Sequence, residues 1–291
     1  MCGLFGYVGS KRNLNEELMK CIVPRGPDSQ NILVENNITL GHSRLNVIGL
    51  DDLYNQPMQK NNIILIFNGE IYNYKEIAQE LGLQNIKSDT EVIIYSYMKW
   101  GFDCVKKFHG MWAFCILDIK ENILFLSRDR FGMKPLYFGF DDKDNFVFGS
   151  TIKTILLHQK KHAPNFSVLK GYLLKGLNEI TQETCFKNVF SLLPATNLIY
   201  DLHKKFYKEY THYTIAENNI INDDIFIKKF NKSIERHLVS DVPIACLLSG
   251  GIDSSSIVLA ASYKGQNNVI CLDTTNAVSY THLRAHETVD Y

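Results

Sequence analysis

The chain has 291 residues, 45% hydrophobic and 21% charged, with Lys+Arg and Asp+Glu both at 31; this suits two ordinary globular domains and argues against a nucleic-acid or membrane-surface partner, which a basic excess would mark. Seven scattered cysteines without a C-x-x-C pair suggest neither a disulfide framework nor a zinc site. The N-terminus lacks the charged and apolar regions of a signal peptide, and no apolar run nears the roughly 20 residues of a membrane span, so a cytoplasmic location is expected.

To about residue 150, CGLFGYV, NITLGHSRL, IILIFNG, WAFCILD, NILFLSRD, PLYFGF and NFVFGS are short, rich in aromatic and branched residues, and bounded by Gly, Asn or Asp. They read as strands. Between them Tyr74, Ile77, Ala78 and Leu81 recur at helical spacing, as do Val92, Ile93, Tyr97 and Trp100 after a Ser88-Asp89 cap. Strands on either side of a helical insert predict a layered α+β domain. Residues 151–221 are less regular and are expected to form a connector. From Asn222 a helix is predicted, with Phe226, Phe230, Ile234 and Leu238 four apart. A buried strand (PIACLLS), a Gly-Gly turn, a helix from Asp253 to about Tyr263 and a strand (NVICLD) follow. That order opens a parallel α/β nucleotide-binding domain, of which only one βαβ unit is present. After Asn276 the pattern stops. VSYTHLRAHET resembles the translation of a transposase adapter oligonucleotide, so residues 277–291 are expected to be non-native and the natural protein to continue past Asn276.

Cys2 becomes the N-terminal residue once an aminopeptidase removes Met1. Its α-amine, with a reference pKa of about 7.7–8.0, can then act as a base toward its own thiol through a water and supply a reactive thiolate. Gly3 and Gly6 permit close backbone approach. RGPD (residues 25–28) is a rigid turn, either a structural corner or part of the chemistry. Arg44 at a strand end suits a two-pronged contact to a carboxylate, although a surface arginine would look the same. Asn68 and Gly69 lie at the mouth of the strand IILIF, where a side-chain amide and a backbone N–H can stabilise an oxyanion. Glu70 and Asp89 are carboxylates suited to an amino group, or equally to a solvated face and a helix cap.

CGLFG, RGPD, GHSRL, QPM, NGEIYNY, SDTE, GMWAF and SRDRFGMKPLYF, in this order, resemble class II glutamine amidotransferases of the glutamine-hydrolysing asparagine synthetase type. The resemblance covers residues 2–150 and resumes in SDVPIACLLSGGIDSSSI. It implies an N-terminal-nucleophile hydrolase domain, a four-layer αββα sandwich, over 2–150. It further implies a connector over 151–221 and the start of an α/β ATP-pyrophosphatase domain over 222–276. By the same resemblance Cys2 attacks the glutamine carboxamide, while Asn68 and the Gly69 N–H form the oxyanion hole. Arg44 binds the α-carboxylate, Glu70 and Asp89 the α-amino group, and the backbone at Val47 and Ile48 lines the site.

SGGIDSS (residues 249–255) follows a buried strand and opens a helix, a setting whose exposed backbone N–H groups and helix dipole suit phosphate. It lacks the Walker A lysine. The resemblance implies ATP with Mg²⁺: Leu248 near the adenosine, Ser249, Gly250, Gly251, Ser254 and Ser255 around the phosphates, and Asp253 on the metal. It also implies glutamine, aspartate and ATP as partners and allows a homodimer. Two departures stand out: Val23-Pro24 replaces the usual basic pair before RGPD, and Thr151 replaces an acidic residue. The expected activity is asparagine synthesis through β-aspartyl-AMP. The alternatives are a relative with a sugar, peptide or β-lactam-precursor acceptor, and a glutamine-binding regulatory module without synthetase activity.

Overall fold

The computed structural model describes residues 1–9, 14–176, 181–215 and 222–263, and the backbone of 269–273. The end of the expected second domain at 276 and the tail 277–291 lie outside the described residues. The chain divides into two compact units, Met1–Ile215 and Ala216–Tyr291.

The first unit runs β1 (Gly3–Val8), α1 (Asn15–Ile22), β2 (Ser29–Glu35), β3 (Ile38–Arg44), β4 (Met58–Lys60), β5 (Ile63–Ile71), α2 (Tyr74–Glu80), α3 (Asp89–Trp100), β6 (Gly110–Asp118), β7 (Ile123–Arg128), β8 (Tyr137–Phe140) and β9 (Phe146–Gly149). It continues with α4 (Ile152–Leu156), α5 (Phe166–Lys175), β10 (Val189–Ser191), β11 (Thr196–Asp201) and β12 (Phe206–Thr211). Two antiparallel sheets result, in the orders β10-β8-β9-β1-β3-β2 and β12-β11-β7-β6-β5-β4.

Strand alternation builds the layers. Leu4 and Val8 of β1, Ile64 and Ile66 of β5, Cys115 and Leu117 of β6 and Phe146 and Phe148 of β9 pack together between the sheets. The opposite face of β1 carries Phe5, which packs on Leu18 and Ile22 of α1, and Tyr7, which packs with Ile155 of α4. On the second sheet α3 covers β5, and Phe125 of β7 meets the rings of Tyr97 and Phe102. Each such side chain contributes roughly 1.5–3 kcal/mol on burial. The architecture is the αββα sandwich that the resemblance implies.

The sheets reach beyond residue 150. β10 joins the first sheet beside β8, and β11 and β12 extend the second beside β7. Three strands of the stretch read as a connector therefore belong to the sheets of the first unit. β10 has only three residues and shows too little alternation to be recognised alone. α1 and β2 were also not separated by pattern: β2 alternates poorly because several of its residues face solvent.

The second unit contains α6 (Asp223–His237), β13 (Ile244–Leu248), α7 (Ile252–Tyr263) and β14 (Val269–Asp273). Asn222 caps α6, accepting the Ile225 N–H at 2.9 Å. β13 and β14 pair in parallel, Ile244 opposite Val269, with α7 as the crossover. Ile234, Leu238 and Ala261 form a small core with Phe230 and Ile244. Among the described residues no helix is long and apolar enough to cross a membrane.

Candidate active site

Cys2 precedes β1, whose Gly3 pairs with Ser43 of β3, so the thiol sits beside the end of β3. Its Sγ accepts the Leu45 N–H at 3.3 Å and lies 3.6 Å from the Leu45 carbonyl. The turn RGPD fixes this corner. Arg25 Nε donates to the Cys2 carbonyl at 3.0 Å, Ser43 Oγ donates to the Gly26 carbonyl, and the Asp28 carboxylate accepts the Asn46 N–H at 2.7 Å. A Cβ on Gly26 would lie 2.4 Å from the Ser43 carbonyl, which explains the glycine. Burial pushes the Cys2 thiol up, while the Leu45 N–H, the terminal ammonium and Arg44 draw it down.

The opposite wall is an open strand edge. β4 pairs with β5 only from Ile63 to Leu65, so among the described residues β5 has no strand neighbour on that side from Phe67 onward. Side chains take the strand's place. The Phe67 N–H donates to Gln56 Oε1 at 2.6 Å, and the Ile71 N–H donates to Asp89 Oδ2 at 3.0 Å. The Phe67 carbonyl is 2.9 Å from His42 Nε2, which must therefore carry the proton; burial takes His42 down to about 4, keeping the ring neutral. Strand alternation puts the Gly69 N–H on the same edge, midway between the two bridged positions. The side chain of Asn68 continues the inward row of Ile64 and Ile66. It is 1% exposed, and neither of its amide atoms has a hydrogen-bond partner among the described residues.

Asp89 opens α3 behind Ser88, whose hydroxyl accepts the Thr90 N–H at 3.2 Å. Burial, with a smaller contribution from Glu70, raises its carboxyl to about 7 against the pull of the Ile71 and Thr90 N–H groups. Arg44 is more engaged than its sequence suggests. Nη1 donates to the Asp51 carbonyl at 3.1 Å and to Asn55 Oδ1 at 3.0 Å, and Nη2 donates to the carbonyls of Ile48 and Gly49. The guanidinium thus shapes the loop 48–55 and brings its charge to the cleft by that route.

All eight glutaminase-site residues named from sequence, Cys2, Arg44, Val47, Ile48, Asn68, Gly69, Glu70 and Asp89, line one cavity of about 530 Å³. Leu45, Gln56, Thr90 and Lys134 line it too and were not singled out. Gln56 and Lys134 lie within QPM and SRDRFGMKPLYF, so the motifs marked their segments without giving them roles.

In the second unit the proposed phosphate loop joins β13 to α7. Gly250 has φ +78°, a conformation that favours glycine. The Ser249 N–H donates to Ser254 Oγ at 3.3 Å, and Ser254 Oγ donates to the Gly251 carbonyl at 3.1 Å. Leu248 is buried, Asp253 is exposed, and Ser255 Oγ is buried without a partner among the described residues. Among the described residues no group of three or more His, Cys, Asp or Glu side chains could hold a metal ion.

Comparison with known proteins agrees with both halves. The glutamine amidotransferase domain family matches residues 1–211, and the asparagine synthase family matches residues 226–280. A Methanocaldococcus jannaschii protein provisionally named glutamine-hydrolysing asparagine synthetase 2 is 37% identical, over 89% of this chain and 56% of its own length. Glutamine-hydrolysing asparagine synthetase 3 of Bacillus subtilis strain 168 is 33% identical, over 90% of this chain and 45% of its own. The chain therefore spans about half the length of these curated relatives. A solved structure of the allosteric regulatory enzyme of purine biosynthesis superposes with a TM-score of 0.52 at 16% identity, covering 97% of this chain and 68% of that one, a likeness of fold.

Proposed function

We propose that this chain, which belongs to the glutamine amidotransferase family, hydrolyses the side-chain amide of glutamine at Cys2 to give glutamate and ammonia. The observation that carries this reading is the meeting in one cavity of the Cys2 thiol, the Asn68 amide, unpartnered among the described residues, and the open β5 edge at Gly69.

With Met1 removed, the Cys2 amine takes the thiol proton and Sγ attacks the amide carbon of glutamine. Asn68 Nδ2 and the Gly69 N–H donate to the oxygen as it gains charge. Buried and already aimed, such donors are worth about 10²–10³-fold each in rate. The amine returns the proton to the departing nitrogen, ammonia leaves, and water cleaves the γ-glutamyl thioester. Asp89 and Glu70 hold the α-ammonium, and the Arg44 charge and the backbone at Val47 and Ile48 face the α-carboxylate.

In the full-length protein we assign the ammonia to aspartate, activated by ATP as β-aspartyl-AMP. The loop after β13 fits a phosphate: two residues without Cβ atoms, the start of a helix and the Ser255 hydroxyl, unpartnered among the described residues, converge there. Ser249, Gly250, Gly251, Ser254 and Ser255 would hold the phosphates, with Leu248 near the adenosine. Asp253 supplies one carboxylate, which suits Mg²⁺ only when phosphate oxygens complete its shell; the ion would offset charge on the departing pyrophosphate. The reading places the protein in the cytoplasm.

The test is ammonia release from glutamine by the 291-residue chain, with mass spectrometry confirming loss of Met1. Release is expected, and Cys2→Ala should abolish it. Ammonia release unchanged in Cys2→Ala overturns the proposal.

A further inference from the structure

Lys134 lies in the turn between β7 and β8 and is only 5% exposed, a rare state for a lysine. Its backbone is pinned on both sides. The Lys134 N–H donates to Asp129 Oδ2 at 3.0 Å, and its carbonyl accepts Arg128 Nε at 2.8 Å. Asp129 also accepts the N–H groups of Phe131 and Met133, so the turn holds one shape and delivers the side chain inward. The ammonium ends in the glutamine cavity, 3.2 Å from Met1 Sδ. A thioether is a weak acceptor and carries no charge, so this contact does not neutralise the ammonium.

We propose that Lys134 is a positioning residue whose charge keeps the α-amine of processed Cys2 unprotonated, and so able to take the thiol proton, at neutral pH. The inference rests on the glutaminase reading above. Removal of Met1 takes away the thioether and transfers the terminal amine to Cys2, in the same cavity. A fixed cation beside an amine disfavours its protonated form. In the unprocessed chain burial disfavours the Met1 ammonium most, Lys134 and Arg25 add to that effect, and the Cys2 thiolate and Asp28 oppose it. Burial lowers the pKa of Lys134 itself, and Arg25 adds to that, while Glu70, Cys2 and Asp129 favour its charged form. Glu70 thus supports the ammonium of Lys134 while also facing the substrate.

The experiment is the pH dependence of kcat at saturating glutamine, which reports groups in the enzyme–substrate complex. It compares processed wild type with Lys134→Met and Lys134→Arg, with Cys2→Ala run alongside. Losing the cation should raise the pKa of the amine, so the acidic limb of Lys134→Met should move to higher pH by about one unit. Near pH 6 that amounts to about a tenfold loss. The rate at pH 9 should be retained, which also shows that the variant folds, and Lys134→Arg should restore the limb. Lys134→Gln carries the same test if the Met variant does not accumulate. An unmoved acidic limb overturns the proposal, as does a loss uniform across pH, which would mark a structural lysine. Activity in Cys2→Ala would instead overturn the glutaminase reading itself.

Discussion

Gln56 Oε1 accepts the Phe67 N–H at 2.6 Å, in the position where a neighbouring strand would supply a carbonyl. Its Nε2 reaches Thr90 Oγ1 at 3.4 Å, so one side chain ties the strand bearing Asn68 to the helix bearing Asp89. An edge satisfied by side chains leaves room for a substrate where another strand would have closed the sheet. Gln56→Leu keeps the volume and leaves the buried Phe67 N–H without an acceptor. It should cost about 1–3 kcal/mol in urea unfolding. Because Asn68 is the next residue, kcat should fall by about tenfold to a hundredfold. Full kcat in a destabilised variant would show that Gln56 serves the fold alone.

Asn68 presents the reverse balance. Both of its amide atoms are buried and unpartnered among the described residues, so the amide is a polar group that no protein partner rewards. Asn68→Leu should leave the protein as stable as before or more so, because it removes that burden. The same change should lower kcat by about 10²–10³-fold with little change in KM. Thermal unfolding and glutamine kinetics on one preparation decide the matter. A large stability loss with normal kcat would remove Asn68 from the oxyanion site.

These two residues show where sequence was informative. Asn68 was readable because it follows an apolar strand and lies beside a glycine, a local signal. The strands of the sandwich were readable for the same reason, since β1, β5 and β6 are short runs of aromatic and branched residues bounded by Gly, Asn or Asp. Gln56 has no such signal: its function comes from the early end of β4, which only the folded sheet reveals. Lys134 reads as a surface lysine until the Asp129-centred turn directs it inward. Arg44 was identified, but its four Nη contacts to the loop 48–55 depend on a backbone path that no residue pattern records.

Asp89 links pH to both binding and stability. Its folded-state carboxyl is raised to about 7, so between roughly pH 4 and pH 7 the folded protein holds a proton that the unfolded chain releases. The stabilisation is complete below that window and is lost as pH rises through 7. Glutamine needs the ionised form to hold its α-ammonium, so KM should climb as pH falls below about 7. Binding at pH 6.5 should release a proton, measurable by titration calorimetry in two buffers of different ionisation enthalpy. Asp89→Asn keeps an acceptor for the Ile71 N–H and removes the buried charge. It should gain stability at pH 8 and show a high KM that no longer varies with pH. A KM in wild type that is flat from pH 6 to pH 8 would contradict this role.

Gly69 is constrained by its neighbours on β6. A Cβ there would lie 2.1 Å from the Met111 carbonyl oxygen and 2.7 Å from Trp112 Cα, both backbone atoms of the paired strand. Gly69→Ala must therefore push β5 away from β6 at the point where the Gly69 N–H faces the substrate. Overpacking of this kind costs about 1–3 kcal/mol, and the displaced donor should lower kcat by about 10²–10³-fold. Gly82→Ala is the matched control. Its Cβ would meet nothing within 4 Å, although its φ of +69° also strains an alanine. That variant should lose about 1 kcal/mol and keep its kcat. Equal kcat losses in the two variants would mean that general destabilisation, rather than the position of the Gly69 N–H, accounts for the effect.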